Sequence, residues 1–348
     1  MSTTATQVTT TKAVRITGEF GIANLTFDEV EVRHLRPGQV LVAIKACSLN
    51  YRDLLMVKGH YNPRLKRPLT ICSDGAGEVV AVGEDVTRFK PGDRVAGAFF
   101  QKWIAGTLTR EGGDSALGGA IDGVLTTYRV FNEAGLVHIP EYLDFREGAT
   151  LPCAGVTAWN TLVESAQVRA GDTVVLLGTG GVSIFALQFA KMNGARVIIT
   201  SSSDDKLQRA RTMGADETIN YRKTPDWEKE VFKLTGKRGA DIVVEVGGAG
   251  TLPRSLKTVR PAGFVGLIGV LSGIEQLMNI GPILHNNVHL QGIYVGSVEM
   301  FESMNRAISM HKMNPVIDRV FGYDQTREAL EHMESGQHFG KIVIDVNR

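Results

Sequence analysis

The chain has 348 residues, enough for two domains that each bury a hydrophobic core. Hydrophobic residues make up 43% and charged residues 22%, an ordinary mixture for globular proteins. The formal net charge of +1 argues against a nucleic-acid partner and against an anionic membrane surface. No apolar run approaches the length of a membrane span. We therefore expect neither nucleic acid nor a membrane as a partner.

Two further features indicate the compartment. Residues 1–11 are rich in Ser and Thr and lack the apolar core of a signal peptide, so we expect a flexible tail there. The three cysteines, Cys47, Cys72 and Cys153, cannot all pair and lack the spacing of a disulfide framework. We therefore expect a reducing compartment and a cytoplasmic protein.

The first part of the chain has the pattern of short β-strands. Residues 13 to about 150 carry β-rich runs such as Val40–Ala46, Gly77–Val82 and Arg94–Gly97. Turn residues separate them, for example at Arg36–Gly38 and Lys90–Asp93. This pattern predicts an irregular β-barrel domain with few helices.

From Gly155 onward, apolar strands alternate with helical segments, which predicts a parallel doubly wound sheet. The predicted strands are Thr173–Leu177, Arg196–Thr200, Asp241–Val246 and Phe264–Val270. The predicted helices are Val182–Asn193, Asp204–Met213, Asp226–Thr235 and Thr251–Val259. Thr224 and Pro225 are typical of a helix start, as an N-cap and a first-turn proline. The last fifty residues or so predict a helix pair and a final strand, Lys341–Val346.

The most informative motif follows the first strand of this sheet. Closely spaced glycines separate the strand Thr173–Leu177 from an amphipathic helix; the loop residues are Gly178, Thr179, Gly180, Gly181 and Val182. Such a loop lets the backbone approach a pyrophosphate, which then lies at the positive end of the helix. Ser183 stands where this fingerprint usually has its third glycine. The motif predicts a dinucleotide site, against the alternative of a tight turn in a non-binding α/β domain.

The end of the second strand indicates which dinucleotide binds. A chain that selects NAD places an acidic residue here, to accept the ribose 2′-hydroxyl. This chain has Ser201 and Ser202, followed by Lys206 in the first turn of the next helix. Hydroxyl donors and a cation suit a 2′-phosphate, so we expect NADPH to be preferred over NADH. In the alternative interpretation, Ser203 only caps the helix and Lys206 is solvated surface.

These motifs belong to a wider pattern that covers nearly the whole chain. The stretches that carry it are Ala46–Asp53, Asp74–Gly83, Phe89–Val95, Leu151–Trp159 and Gly178–Val182. In them the chain resembles the medium-chain dehydrogenase/reductase superfamily. The resemblance implies a GroES-like catalytic domain at 12–154, a Rossmann dinucleotide-binding domain at 155–297, and a C-terminal segment, 298–348, that completes the catalytic domain. It also implies an active site in the cleft between the two domains.

The residues at the superfamily's zinc positions argue against a metal. The resemblance places Asn50 and Ser73 where zinc members have a Cys and a His, and only Cys153 retains a ligand type. A catalytic zinc needs three protein ligands, which this set does not offer. The lobe at 98–127 also lacks the four cysteines that hold a structural zinc. We therefore expect no zinc, and we interpret Cys153 as a small buried hydrophobe.

Without a metal, hydrogen-bond donors must polarise the oxygen of a small-molecule substrate. Asn50-Tyr51-Arg52-Asp53 resembles the zinc-free quinone oxidoreductases and enoyl reductases, and Asn50 is the expected donor. Tyr51 or Tyr61 could supply the proton. Asp53 would orient the loop and the nicotinamide end of the cofactor, or act only as a helix-capping carboxylate.

The resemblance assigns further cofactor contacts. Thr157 matches the position that touches the nicotinamide, and Tyr221 matches a ring that packs at the 2′-phosphate. The remaining predicted contacts follow the later strands: Val246, Gly247, Ile268, Gly269, Val270 and Val295. Trp159 is interpreted as core.

Three functions remain open. The first is zinc-independent, NADPH-dependent reduction of an activated C=C bond or a quinone. The second is an alcohol dehydrogenase or carbonyl reductase that uses side-chain acid–base chemistry. The third is a dinucleotide-binding protein with little catalysis, as in the lens crystallin branch. The apolar segment Val288–Val295 at the edge of the Rossmann sheet predicts a homodimer, unless the C-terminal helices cover that edge.

Overall fold

The computed structural model describes residues 8–348. The described chain forms two compact units: one runs to Cys153 and includes Gly296–Arg348, and the other is Ala154–Val295. The sequence places these boundaries at 154/155 and 297/298. Seven residues of the predicted tail lie outside the described part of the chain.

The strands are β1 (Thr10–Ile16), β2 (Thr26–Glu31), β3 (Gln39–Leu49), β4 (Leu69–Thr70), β5 (Asp74–Val82), β6 (Arg94–Gly97), β7 (Tyr128–Asn132), β8 (Leu136–His138), β9 (Thr173–Leu177), β10 (Arg196–Ser201), β11 (Glu217–Asn220), β12 (Ala240–Glu245), β13 (Val259–Leu267), β14 (His289–Gly292), β15 (Ile317–Gly322) and β16 (Lys341–Asp345). The helices are α1 (Tyr51–Val57), α2 (Arg110–Gly113), α3 (Phe145–Ala149), α4 (Val156–Trp159), α5 (Gly181–Met192), α6 (Asp204–Thr212), α7 (Trp227–Leu234), α8 (Leu252–Thr258), α9 (Gly281–His285), α10 (Val298–His311) and α11 (Thr326–Glu334). Two π-helical segments, Leu151–Gly155 and Asn160–Ser165, flank α4.

Unit Ala154–Val295 contains a six-stranded parallel sheet in the order β11-β10-β9-β12-β13-β14. Both faces of its central strands are covered: every residue of β9 and of β12 is buried. That burial explains why these strands read as unbroken apolar runs. The topology is that of a Rossmann domain, with the switch between β9 and β12.

Three predictions in this unit are corrected by the structure. Helix α7 begins at Trp227 with Asp226 as its N-cap, so Thr224 and Pro225 precede the helix. Strand β13 begins at Val259, because that residue already pairs with Ala240 of β12. The predicted strand 288–295 is shorter in the structure, since only the four residues of β14 pair with β13.

The other unit is built mainly from two sheets. One has the order β2-β1-β4, and the other β15-β16-β3-β5-β6-β8, with β7 also pairing with β3. Strand β1 begins inside the predicted tail, because Thr10 and Thr11 pair with β2. Apolar side chains from both sheets and from α1 and α11 share one hydrophobic core, among them Ile16, Leu49 and Leu54.

The C-terminal residues complete the larger sheet. Between the two predicted helices, α10 and α11, lies a strand that the sequence did not reveal, β15, which pairs in parallel with β16. Strand β16 runs antiparallel to β3, with Ile342 opposite Leu49. This register carries the start of β16 to the end of β3. Within residues 8–348, no helix is long and apolar enough to cross a membrane.

Candidate active site and cofactor site

Three strand ends meet in the larger sheet. Strand β3 ends at Leu49, β16 begins at Lys341, and β5 begins at Asp74, which pairs with Ser48. Because β3 lies between the other two strands, residues nearly 300 positions apart in sequence come together at this point. Polar side chains project here from an otherwise apolar core: Asn50, Asp53, Ser73, Asp74 and Lys341 are all less than 9% exposed.

Asn50 is held from two sides. Its side-chain Oδ1 accepts a hydrogen bond from Lys341 Nζ at 2.6 Å, and its Nδ2 donates to Ser73 Oγ at 3.3 Å. Lys341 Nζ also donates to the Leu49 carbonyl at 2.7 Å. The Ser73 hydroxyl in turn donates to Asp74 Oδ1 at 2.7 Å. Donors and acceptors therefore follow one direction, from the ammonium to the carboxylate.

Asp53 lies one helical turn from Asn50. Its Oδ2 accepts the Asn50 backbone N–H at 2.8 Å, and its Oδ1 pairs with Arg52 Nη1 at 3.2 Å. Burial raises the pKa of Asp53, while Arg52 and the Asn50 N–H act in the opposite direction. This is the geometry of a carboxylate at the N-terminus of a helix, the capping role that the sequence left open.

The two tyrosines are more exposed than the polar cluster. Tyr51, the first residue of α1, is 38% exposed, and Tyr61 is 39% exposed. The Arg52 guanidinium stacks over the Tyr61 ring at 5.7 Å and over the Phe99 ring at 5.0 Å. Both phenols therefore retain access to solvent as candidate proton donors.

The pKa values of Asp74 and of the neighbouring Cys153 are also shifted. Burial raises the pKa of Asp74 to about 6, although the Lys341 ammonium and the hydrogen bond from Ser73 act to lower it. Desolvation raises the pKa of the Cys153 thiol, and the nearby Asp74 carboxylate adds to the shift. Asp74 Oδ2 also accepts the Cys153 backbone N–H at 3.0 Å. Burial therefore disfavours the charged forms of both the Cys153 thiol and the Asp74 carboxyl.

These residues do not fit a zinc ion. Zinc requires a thiolate, imidazole or carboxylate ligand set, whereas the three positions hold an amide, a hydroxyl and a single thiol, so two of the three offer no suitable ligand. The Asn50 Oδ1 already accepts from a buried ammonium, whose positive charge opposes a second cation at the same place. Across residues 8–348, no group of three or more His, Cys, Asp or Glu side chains is arranged to hold a metal.

In the other unit, the glycine loop joins β9 to α5. Gly178 has a φ of +72°, in the left-handed region that favours glycine. A Cβ added at Gly178 or Gly180 would meet nothing within 4 Å, so the loop leaves open space in front of the N-terminus of α5. Ser183 donates its hydroxyl to the Leu177 carbonyl at 2.7 Å. Helix and strand therefore remain tightly joined without the third glycine. This loop fits a pyrophosphate.

The ends of β10 and β11 lie side by side next to this loop. Ser201 is 4% exposed and pairs with Asn220, and the Tyr221 N–H donates to the Ser201 carbonyl at 3.1 Å. Ser203 caps α6 by accepting the Lys206 backbone N–H at 3.4 Å, so Lys206 lies in the first helical turn. The structure thus brings the Ser201–Ser202 corner close to Tyr221.

The carboxylate of Asp204, close to this corner in sequence, already has hydrogen-bonding partners. Asp204, the first residue of α6, forms an ion pair with Lys223 and accepts from Asn220 Nδ2 at 2.7 Å. Hydrogen bonding from Lys223 holds the pKa of Asp204 below its usual value.

The loops after β12 and β13 are in direct contact. A Cβ added at Gly269 would lie 1.5 Å from the Val246 carbonyl oxygen, so only glycine fits there. Glu245, fully buried, accepts the backbone N–H groups of Gly247 at 2.7 Å and Gly248 at 3.0 Å, and the Thr251 hydroxyl at 2.6 Å. The carboxylate fixes the loop that carries the predicted contacts Val246 and Gly247. Ile268 and Val270 flank Gly269 at this point.

Two predicted contacts lie near the ends of this unit. Thr157 is 2% exposed, and its carbonyl accepts the Thr161 hydroxyl at 2.7 Å. Val295 has a φ of +57°, an outlier for a β-branched residue. Its carbonyl is held by Asn160 Nδ2 at 2.7 Å. Strain of this kind is often retained at functional sites.

Two charged residues in these clusters, Lys341 and Glu245, were not among the predicted site residues. Lys341 was assigned only to the final strand, and Glu245 only to the strand that β12 forms. Each has a detectable signal, because a charged residue at the end of an apolar strand is unusual unless it is paired. Lys341 directly precedes Ile342–Ile344, and Glu245 directly follows Ile242–Val244.

Comparisons with known proteins agree with this arrangement. The family described as Alcohol dehydrogenase GroES-like domain matches residues 36–141, and the one described as Zinc-binding dehydrogenase matches residues 181–310. A zinc-type alcohol dehydrogenase-like protein of Schizosaccharomyces pombe is 47% identical over 334 residues, which cover 94% of this chain and 96% of that protein.

Two further relatives carry other names. A quinone oxidoreductase of Pseudomonas aeruginosa is 35% identical over 246 residues, covering 70% of this chain and 69% of that protein. The crystal structure of an NAD-dependent alcohol dehydrogenase is 34% identical and has a TM-score of 0.88, covering 96% of this chain and 99% of that chain. Family models match in both units, and the identity extends over nearly the full length. The chain is an oxidoreductase of the medium-chain dehydrogenase/reductase superfamily.

Proposed function

We propose that the protein is a zinc-independent, NADPH-dependent reductase of activated C=C bonds or quinones. The observation that carries this proposal is the polar cluster at the zinc positions, where Asn50 and Ser73 stand in place of two ligands and the Lys341 ammonium donates to Asn50. NADPH supplies a hydride when it is bound. The chain must then stabilise negative charge on the substrate oxygen through N–H and O–H donors.

Asn50 is the proposed donor to that oxygen. Its Nδ2 carries two N–H bonds, and Ser73 accepts one of them over a long distance of 3.3 Å. We assign the second N–H to the substrate oxygen. Tyr51 or Tyr61 would donate the proton that the reduced substrate takes up, since both side chains remain partly exposed.

The second candidate is an alcohol dehydrogenase or carbonyl reductase, which the names of two relatives favour. Oxidation of a simple alcohol requires loss of its proton, and a metal normally lowers the pKa of that group. The Asn50 amide and the Ser73 hydroxyl, at two of the three zinc positions, offer no equivalent. Reduction of an already polarised acceptor is therefore the better match to these residues.

Metal content tests the zinc-free part of the proposal. We expect less than about 0.1 zinc per chain after purification, because the three positions lack a ligand set. We also expect activity to be unchanged after dialysis against a chelator. Elemental analysis and rates before and after chelation measure both. One tightly held zinc per chain, lost together with activity, would contradict the proposal.

NADPH is the proposed cofactor, bound by Gly178–Val182 at the pyrophosphate and by Ser201, Ser202, Lys206 and Tyr221 at the 2′-phosphate. Ser201 replaces the acidic residue that would repel this phosphate. Asp204, the first residue of α6, is paired with Lys223 and Asn220. One similar crystal structure is named as an NAD-dependent alcohol dehydrogenase, so a preference for NADH is the main alternative.

Lys206→Ala should weaken NADPH binding by about 1–3 kcal/mol and leave NADH binding nearly unchanged, since only NADPH carries the phosphate. Calorimetric titration of both cofactors measures this difference. Lys229→Ala is the control: it removes a 75%-exposed lysine that pairs with Asp226. Equal losses for both cofactors, or tighter binding of NADH by the unsubstituted protein, would overturn the assignment.

We also propose that the protein forms a C₂ homodimer through the edge of the Rossmann sheet. Strand β14 pairs with β13 along one edge only, among the strands that the structure describes. The segment before it exposes five large apolar side chains: Leu271, Ile274, Leu277, Ile280 and Leu284 are 54–100% exposed. An open strand edge beside exposed apolar residues favours association with a second copy.

The proposed location is a reducing compartment, the cytoplasm. The three free thiols, Cys47, Cys72 and Cys153, support it.

Light scattering should therefore give twice the chain mass of 37.7 kDa at micromolar concentration. Leu277→Asp, at a fully exposed position of that segment, should shift the mass toward 37.7 kDa. Met310→Asp in the other unit, at a site 84% exposed, should not. A monomer of the unsubstituted protein would reject the dimer.

A further inference from the structure

Lys341 is a lysine without access to water. The residue is 3% exposed, and its ammonium donates to the Leu49 carbonyl at 2.7 Å and to Asn50 Oδ1 at 2.6 Å. Burying an ammonium is costly unless its charge and hydrogen bonds are met. Asp74 and Asp53 are the nearby carboxyls: burial raises the pKa of each, and the Lys341 ammonium acts in the opposite direction by favouring their charged forms. Because an apolar side chain would avoid the cost of burying this charge, we looked to the contacts of the ammonium for its function.

The contact with Asn50 fixes which way the amide points. An ammonium has three donors and no acceptor, so the group that faces it must be the amide oxygen. The amide nitrogen then faces the opposite way, toward Ser73 Oγ at 3.3 Å. At the far end, Asp74 accepts from Ser73, which holds the hydroxyl proton away from Asn50. Both ends of the chain of hydrogen bonds thus select the same amide orientation.

The ammonium also changes how strongly the amide donates. A positive charge on the carbonyl oxygen draws electron density from the nitrogen and makes its N–H groups stronger donors. Rotating the amide by 180° would instead turn a lone pair toward the oxygen that gains charge. The Lys341 ammonium therefore affects both the orientation of the Asn50 amide and its strength as a hydrogen-bond donor.

We infer that Lys341 is a positioning residue for the reaction, which orients and polarises the Asn50 amide without touching the substrate. The inference rests on the proposed role of Asn50. It also assigns a function to the C-terminal segment, because β16 is the element that delivers this cation to the end of β3.

A double-mutant cycle tests the inference. Lys341→Met keeps an unbranched apolar stem and removes the donor, and we expect kcat with NADPH and cyclohexenone or benzoquinone to fall at least tenfold, with KM for NADPH within twofold. Asn50→Ala alone should fall at least a hundredfold. In the double variant, kcat should equal that of Asn50→Ala, because Lys341 acts only through Asn50. Lys341→Arg should recover part of the loss, and Lys45→Met on β3 should be neutral.

A second measurement reports on the amide independently of activity. In protein labelled with ¹⁵N-asparagine, the Asn50 side-chain signals are identified by their loss in Asn50→Ala. They should move in Lys341→Met while those of Asn160 do not. Unmoved Asn50 signals, additive losses in the double variant, or Lys341→Met within twofold of wild type would each overturn the inference and leave the proposed function standing. Asn50→Ala within threefold of wild type would overturn the proposed role of Asn50, on which the inference rests.

Discussion

Asn50→Ala should lower kcat by two to three orders of magnitude, about 3–4 kcal/mol, while NADPH affinity stays near that of the unsubstituted protein. A donor aimed at a developing negative charge contributes more in the transition state than in the bound substrate, so KM should change little. Asn50→Asp should be worse, because a carboxylate repels that charge. Steady-state kinetics with an enone or a quinone, together with NADPH titration, measure the effect.

The control for Asn50 lies two residues earlier. Ser48 is also fully buried at this strand end and donates its hydroxyl to the Ile342 carbonyl at 3.1 Å, but it takes no part in the Asn50 network. Ser48→Ala should therefore cost stability without a specific loss of kcat. If Asn50→Ala stays within threefold of wild type, Asn50 leaves the mechanism, and Tyr51 or Tyr61 becomes the main candidate.

Gly269→Ala should destabilise the cofactor unit more than a Gly→Ala substitution at any other position in that unit. The new Cβ would lie 1.5 Å from the Val246 carbonyl oxygen and 2.0 Å from its carbonyl carbon, both backbone atoms that cannot rotate away. Relief requires the loop held by Glu245 to move, at a cost of about 3 kcal/mol. We expect Tm to fall by about 6–12 °C and NADPH affinity to fall at least tenfold.

Gly292→Ala is the matched control, because Gly292 lies in the same unit and a Cβ there meets nothing within 4 Å. Differential scanning calorimetry and NADPH titration of the two variants give the comparison. Should Gly269→Ala match Gly292→Ala in both readouts, the contact between the loops after β12 and β13 would not constrain the cofactor site.

The fold of the cofactor unit could be predicted because its signals are local. Strand β9 is predicted at its observed limits, and the glycine loop and α5 follow it directly. Short edge elements were harder: β14 has only four residues, and apolar character alone extended the prediction to Val295. In the other unit, β15 lies between two helices and gives no clear alternation, so only its pairing with β16 defines it.

The candidate site was predictable only in part. Asn50 and Ser73 were found by resemblance at positions where ligands are expected, but the partner that organises them lies nearly 300 residues away along the chain. No spacing rule links Lys341 to Asn50, since the strand register of β16 on β3 creates the contact. Asp53 shows the converse, because its contact with the Asn50 N–H is local and the capping alternative was visible from the sequence.

The most direct test of the account compares two reactions of metal-free protein. NADPH oxidation is followed with cyclohexenone, hexenal and benzoquinone, and NADP⁺ reduction is followed with primary and secondary alcohols, all in the presence of a chelator. We expect turnover with at least one conjugated acceptor and a kcat/KM at least a hundredfold lower for every alcohol. Efficient alcohol oxidation that appears only when zinc is restored, with no turnover of enones or quinones, would contradict it.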